Sequence, residues 1–271
     1  MRFSKRAASL AAAAAVMAML PSSAIKANSE QQTQDGAIEA AVAAPSRTPE
    51  NVARDRYRHP AATLAFFGIT PGQTVIEYSP GGGWYTEILA PLLKDHGRMI
   101  ALQSAGGSFD RLKAKLDADT GVYGKVEMVE WKGMDSAIAP GTADAVLTFR
   151  NIHNMVMKGT EVDSFKAFYA MLKPGGTLGI VDHRLPEARD SADEKTSGYL
   201  KETTVRKLAE AAGFKFVAAS EINANPKDTA DWERGVWTLP PVLTEGELDR
   251  DKYLAIGESD RMTMKFVKPA E

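Results

Sequence analysis

Val75-Ile76-Glu77-Tyr78-Ser79-Pro80-Gly81-Gly82-Gly83-Trp84 runs from a buried-strand pattern through a tight turn into a helical stretch. Glycines suit that turn because any Cβ would hold the backbone away from a ligand lying across the carboxyl ends of parallel strands. A plain turn would also use three glycines, so the neighbouring residues matter. Glu77 closes an otherwise apolar strand, where a carboxylate is costly to bury without partners. It sits where the turn, or the amine of a ligand, would supply hydrogen bonds.

Working outward, β-rich and helical runs alternate. Strands are expected at Thr74–Tyr78, Arg98–Gln103, Val126–Trp131, Ala143–Phe149 and Thr177–Asp182, with helices at Tyr85–Lys94, Ser108–Ala118 and Val162–Leu172. Strands separated by helices make βαβ units, whose right-handed crossovers place them in one largely parallel, doubly wound α/β sheet. A helix at Thr203–Ala212 then leads to strands near Phe214–Ala219 and Met262–Val267. With no full helix between them, these two form an antiparallel pair at the C-terminal edge. Upstream, Asn51–Phe67 mixes Arg54, Arg56 and Arg58 with apolar residues around Pro60, as two short helices across the domain entrance would.

Polar residues gather at successive strand ends: Glu77 and Ser79 after the first strand, Gln103 after the second, Asp135 after the third, Arg150-Asn151 after the fourth. In an open α/β sheet those ends line the ligand crevice. Glu77 through Gly83 resembles the first motif of class I S-adenosylmethionine-dependent methyltransferases. Ala143-Asp144-Ala145-Val146-Leu147 is similar to their fourth-strand motif, and Leu172-Lys173-Pro174-Gly175-Gly176 to the turn before their fifth strand. Pro80 through Thr86 and Asp260 through Pro269 resemble a group of exported bacterial methyltransferases. The resemblance spans roughly residues 51–269.

It implies S-adenosylmethionine as cofactor, with Gly81 and Gly83 near its methionine and ribose, Glu77 supporting the loop, and Asp135 facing the adenine. It also implies methyl transfer to a small-molecule acceptor. Two positions depart from the pattern. Ser79 replaces the usual first glycine, and Gln103 stands where a carboxylate usually accepts both ribose hydroxyls. A neutral amide accepts more weakly than a carboxylate, so a repurposed, non-catalytic binding domain is the alternative reading. A nicotinamide-dependent oxidoreductase fits less well, because Trp84 and Thr86 occupy the region of the closing glycine of G-x-G-x-x-G.

For chemistry, His153 and His183 follow the fourth and fifth strands, and the imidazole pKa lies near neutrality. Either is a candidate base, with Asp182 as an orienting partner; loop histidines capping carbonyls are the plain alternative. His59 and His96 read as surface residues, and Lys113 and Lys115 as a solvated helix face. No tight ligand spacing such as H-x-x-x-H points to a metal, and neither a G-x-S-x-G elbow nor a cysteine points to a hydrolase. Trp232, Trp237 and Leu239 to Val242 lie in a long connection that is either packed on the sheet edge or a lid.

The chain has 271 residues, 44% hydrophobic and 25% charged, with 33 Lys and Arg against 35 Asp and Glu, a formal net charge of -2. Such a balance favours neither nucleic acid nor an anionic membrane as partner. Arg2, Lys5 and Arg6 precede an apolar run from Ala7 to Leu20, followed by Pro21 and small residues. That is the pattern of a cleavable signal peptide over residues 1–27, too short in its apolar run for a stable membrane span. A periplasmic or secreted protein is expected. With no cysteine there is no disulfide. Residues 28–48, rich in Ala, Gln, Ser and Pro, read as a flexible leader, which leaves residues 49–271 as the domain. Oligomeric state is not encoded in any of these features.

Overall fold

The computed structural model describes residues 33–270. The signal-peptide segment lies outside them. Seven strands form one sheet: β1 (Thr74–Tyr78), β2 (Arg98–Gln103), β3 (Val126–Glu130), β4 (Ala143–Phe149), β5 (Leu172–His183), β6 (Lys215–Ser220) and β7 (Arg261–Val267), in the order β3-β2-β1-β4-β5-β7-β6. The pairs β1–β2, β1–β4, β2–β3 and β4–β5 are parallel, and β7 runs antiparallel to both β5 and β6. The antiparallel C-terminal strand therefore lies one place inside the edge, with β6 outermost.

Strand side chains alternate between faces, and this partitions the core. Ile76, Ile100, Leu102 and Val146 join Phe165, Phe168 and Leu178 in one cluster, while Val75, Met99, Ala101, Ala145 and Leu147 join Leu64, Phe67, Ile88 and Leu89 in the other. Both faces of the central strands are buried, which is why they read as continuous apolar runs. The covering helices include α4 (Pro60–Phe67), α5 (Thr86–Leu93), α6 (Gly107–Ala118) and the short α7 (Thr120–Tyr123), then α9 (Glu161–Met171) and α10 (Glu202–Ala211). A Cβ at Gly179 of β5 would stand 2.8 Å from Phe67 and 2.7 Å from Leu147, so only glycine lets α4 seat this closely. No helix of the described residues is long and apolar enough to cross a membrane.

Two local expectations are corrected. Residues 34–48 are not a flexible leader. Residues 34–42 are helical (α1), with Ile38 at 1% exposure and Ala41 at 5%. Gln34 Nε2 donates to the Ile69 carbonyl at 3.0 Å, and Arg47 pairs with Asp55 at 2.6 Å. The spacing of Ala37, Ile38, Ala41 and Val42 is an apolar helical stripe, masked by the polar composition around it. Burying such an Ile contributes about 1.5–3 kcal/mol, so this segment belongs to the domain. The second correction is α8 (Ile152–Lys158), a helix where only a loop was expected after β4.

The entrance segment holds three short helices, α2 (Pro49–Val52), α3 (Asp55–Arg58) and α4. Between β6 and β7 the connection packs rather than hanging free: Trp232 and Trp237 sit against Leu185, Tyr199, Ala230 and Val236. Asp228 pins it by accepting from Tyr199 Oη, Trp232 Nε1 and the Asp260 amide.

Candidate functional site

Strand order reverses at β1, whose neighbours are β2 and β4. The connections leaving β1 and β4 diverge there and open a crevice at their carboxyl ends. Asn151, just before α8, spans it: its Nδ2 lies 3.1 Å from the Tyr78 carbonyl, 3.3 Å from that of Ser79 and 3.1 Å from that of Phe149.

The crevice has two chambers that share Tyr78, Ser79 and Asn151. The first, about 300 Å³, is lined by Glu77, Gly81, Trp84 and Tyr85, and by Arg54, Arg58 and Arg150. The second, about 480 Å³, is lined by Gln103, Ser104, Trp131, Asn154, Met155 and Lys158. They meet at Ser79, where the glycine-rich turn begins, and the turn itself, through Gly81 and Gly82, lines the first chamber. Ser79 has φ 52° and Gly81 φ 60°, so Ser79 holds the left-handed backbone that the expected glycine would take. A Cβ on Gly81 would meet nothing within 4 Å. Gly83 differs: its Cβ would stand 3.1 Å from Leu112, so its lack of a side chain serves packing against α6, and it does not line either chamber. Arg150 is a second non-glycine residue in this region, at φ 65°.

Gln103 accepts from the Gly81 amide at 3.0 Å through Oε1. Its oxygen thus braces the turn, and its Nε2 is left for a ligand in the second chamber. In Gln103→Glu one carboxylate oxygen keeps the Gly81 bond while the other becomes a charged acceptor. If this chamber takes the ribose that the resemblance implies, S-adenosylhomocysteine is expected to bind about ten-fold more tightly to this variant, a gain of roughly 1.4 kcal/mol. Calorimetric titration checks this, and unchanged affinity would place the ribose elsewhere.

Glu77 is 2% exposed and accepts from Thr86 Oγ1 at 2.6 Å. Burial pushes its pKa up to about 7, against the opposing effects of the Thr86 hydrogen bond and Lys115. Lys115 is not merely a solvated helix residue: it pairs with buried Glu87 and reaches the Gly82 carbonyl at 3.3 Å.

Beside the first chamber lies a cluster that no local pattern announced. Arg54 Nε donates to Glu258 Oε1 at 2.6 Å and Arg58 Nε to Oε2 at 3.0 Å, while Arg261 also pairs with Oε2. Burial acts to raise the Glu258 pKa, but Arg261, Arg58, Arg54 and Arg150 together hold it at about 2. Burial lowers Arg58 to about 9 and Arg150 to about 10, with Glu258 opposing both shifts. Arg58 also lies over the Trp84 ring, 4.7 Å from its centroid. Arg54 and Arg58 come from the arginine-rich entrance segment, whose third arginine, Arg56, is exposed and reaches Tyr57 instead. Glu258 is some 200 residues away in the chain and carried no sequence signal.

The expected catalytic trio does come together, but away from the crevice. His153 Nδ1 lies 2.8 Å from Asp182 Oδ1, and the two imidazole centroids are 5.0 Å apart. All three residues are buried and none lines either chamber. Helix α8 turns His153 inward, and β5 runs on to His183, so neither ring is in a loop. His183 Nε2 accepts from Arg150 Nε at 3.3 Å, which leaves its Nδ1 to pair with Ser259 Oγ. Burial first, then Arg150, drive the His183 pKa well below 6.5. A neutral imidazole with both nitrogens engaged positions Arg150 rather than taking protons from a ligand. The ligand atoms of His153, Asp182 and His183 lie within 4.8 Å of one another. Against a cation, Asp182 already accepts from His153 and from the amides of His153 and His183, and Arg150 adds like charge.

Of the other expected residues, Asp135 is exposed and lines neither chamber. The turn after β3 is closed by Ser136 Oγ, which accepts from the Lys132 amide and donates to the Gly133 carbonyl, and this carries Asp135 outward. Trp131 takes the place at the end of β3, edge-on to Tyr78 at 4.9 Å. His59 and His96 are exposed, as expected of surface residues.

No family model matches the chain. Over 124 residues, 46% of this chain, it is 26% identical to the ubiquinone/menaquinone biosynthesis C-methyltransferases of Enterobacter sp. (strain 638) and of Klebsiella pneumoniae (strain 342). The match spans about half the length of those curated relatives (48%). Among solved structures, a SAM-dependent methyltransferase from Aquifex aeolicus superposes with TM-score 0.57 at 16% identity, covering 86% of this chain and 98% of that one. The [4+2]-cyclase SpnF superposes at TM-score 0.59 and 15% identity, covering 89% and 96%. A putative sarcosine dimethylglycine methyltransferase from Galdieria sulphuraria gives 0.58 at 13%, covering 82% and 87%. The fold is that of the Rossmann-like S-adenosylmethionine-dependent methyltransferases. Because a cyclase shares it, the reaction must be argued from the site.

Proposed function

We propose that this chain is an exported S-adenosylmethionine-dependent methyltransferase acting on a small molecule. The observation that carries the reading is the pair of chambers meeting at Ser79 on the β1/β4 crevice, the first of them lined by the open glycine turn. Their residues fit the cofactor. The second chamber offers Trp131 and Met155 as apolar walls for an adenine and Gln103 Nε2 as a donor for the ribose. The open space over Gly81 leaves room for the ribose-to-methionine link, and Glu77 is the carboxylate facing the first chamber that an ammonium would ionise. When bound, the cofactor supplies a methyl group on a sulfonium, electrophilic enough that alignment of the acceptor does most of the catalytic work.

The chain's own residues would orient the acceptor and exclude water. Trp84, Tyr85 and Phe149 wall the first chamber, with the last two rings stacked at 3.5 Å. Burial raises the pKa of Tyr85 above its ordinary 10 and that of Tyr78 to about 12, so neither phenol is a base near neutrality. Export rests on the residue 1–27 pattern, with the folded domain beginning within the former leader.

Titration calorimetry of the full chain with S-adenosylmethionine, S-adenosylhomocysteine and NAD tests the reading. Micromolar to sub-millimolar binding of the first two and none of NAD is expected. Failure of both sulfur ligands at millimolar concentration would sink it. Fractionation of the expressing cells tests export, the expected product lacking residues 1–27.

A further inference from the structure

Four guanidinium groups surround one carboxylate beside the first chamber, and their hydrogen bonds do not balance. Glu258 takes Arg54, Arg58 and Arg261 on its two oxygens. Arg54 and Arg58 each keep a buried Nη2 with no hydrogen-bond partner. Arg150 spends its Nε on His183, and its terminal nitrogens hold no hydrogen bond among the described residues. Arg54, Arg58 and Arg150 all line the chamber, and Arg58 is only 6% exposed. Buried donors of this kind are ordinarily satisfied. An arginine fork matches the geometry of a carboxylate or phosphate.

The remaining walls narrow the class of molecule. Trp84, Tyr85 and Phe149 present ring surface in the same chamber. A ligand there meets guanidinium groups and aromatic carbon in one chamber, where Arg58 lies over Trp84 and Tyr85 stacks on Phe149.

We propose that the methyl acceptor carries an oxyanion, a carboxylate or a phosphate, held in the first chamber by Arg54, Arg58 and Arg150 against aromatic walls. The proposal rests on the methyl-transfer reading of the crevice. It also accounts for the lack of a histidine facing the chamber: an acceptor bound as an anion to three arginines is oriented by charge. Ser259 Oγ, paired with His183 Nδ1, fixes the ring whose Nε2 accepts from Arg150 Nε and so keeps Arg150 aimed.

The test uses the full chain with benzoate and phenyl phosphate as probes, titrated with and without saturating S-adenosylhomocysteine. At least one probe is expected to bind the wild type, and Arg58→Met to weaken it about ten-fold or more while changing S-adenosylhomocysteine affinity by less than about three-fold. Which probe binds tells carboxylate from phosphate. Arg58→Met should fold, because Arg54 and Arg261 still compensate Glu258 and like-charge repulsion falls; a thermal melt checks this. Should it not fold, the more exposed Arg54→Met serves for the same comparison. The proposal is overturned if neither probe binds the wild type. It is equally overturned if the arginine variant weakens S-adenosylhomocysteine as much as the probe, since the arginines would then hold the cofactor's own carboxylate. If the wild type binds a probe but not S-adenosylhomocysteine, the methyl-transfer reading fails, and the chamber is an oxyanion site without an acceptor role.

Discussion

Replacing Glu258 with Gln is expected to cost about 3–5 kcal/mol of folding stability at pH 7, the usual penalty for breaking a buried ion pair on one side. The shape survives, but Arg54, Arg58 and Arg261 lose their shared counter-charge where Glu258 itself is 2% exposed. For a domain of this size that corresponds to a fall in Tm of very roughly 10 °C. The pH dependence has a definite sign. Glu258 is held at about 2 in the fold against an ordinary value of 4.5. Its contribution is therefore fully present above about 4.5 and is lost as pH falls toward 2. The gap between wild type and variant should close in that window. Urea unfolding of both proteins across the acid range measures it, and a cost under about 1 kcal/mol at pH 7 would show that the arginines find compensation elsewhere. By the same logic Arg58→Met, which removes surplus positive charge, should cost much less than Glu258→Gln.

Glu77→Gln should act in the opposite direction on stability. Burial raises the Glu77 pKa from 4.5 to about 7, so the folded protein binds a proton that the unfolded chain has released. Its stabilising contribution is complete below about 4.5 and is lost as pH rises through 7. The linked free energy is at most about 3 kcal/mol. Gln keeps an acceptor for Thr86 Oγ1 and has no charge to desolvate. Without ligand, the variant should match the wild type near pH 4.5 and exceed it by up to about 3 kcal/mol at pH 8. It should also bind S-adenosylhomocysteine more weakly, because no carboxylate remains to face the amine. Denaturant melts at several pH values, paired with calorimetry, separate the two effects. A difference that stays flat with pH would mean that Lys115 already keeps Glu77 ionised.

The core elements were legible because each is encoded within a few turns of chain. The strands β1, β2 and β4 match their expected limits residue for residue, since their apolar runs are bounded by a glycine turn or a charged residue. Helices α5, α6, α9 and α10 fall within a residue or two of expectation. The misses are short or compositionally disguised. In α1 the apolar stripe is embedded among Gln, Asp and Glu, and α8 spans only seven residues.

The candidate site was less legible than the fold. Glu77, Ser79, Gly81, Gln103, Arg150 and Asn151 line the crevice, because strand ends in this topology converge whatever the side chains do. Asp135 was lost to an outward turn, and Gly83 to a packing role. His153, Asp182 and His183 were expected at the mouth and stand behind it.

By itself, then, the sequence determined the alternation of strands and helices, the crevice at the end of β1 and the glycine turn that shapes it. Each of these follows from backbone hydrogen bonding and apolar periodicity over ten or twenty neighbouring residues. Only the tertiary structure decided which charges meet. Arg54 and Arg58 find Glu258 about 200 positions away, and the trio at 153, 182 and 183 closes on itself beneath the chamber. The physical reason is that burial and Coulomb compensation are sums over everything packed nearby in space. Local spacing carries periodicity, but it does not carry the distance between two side chains on opposite ends of a folded chain.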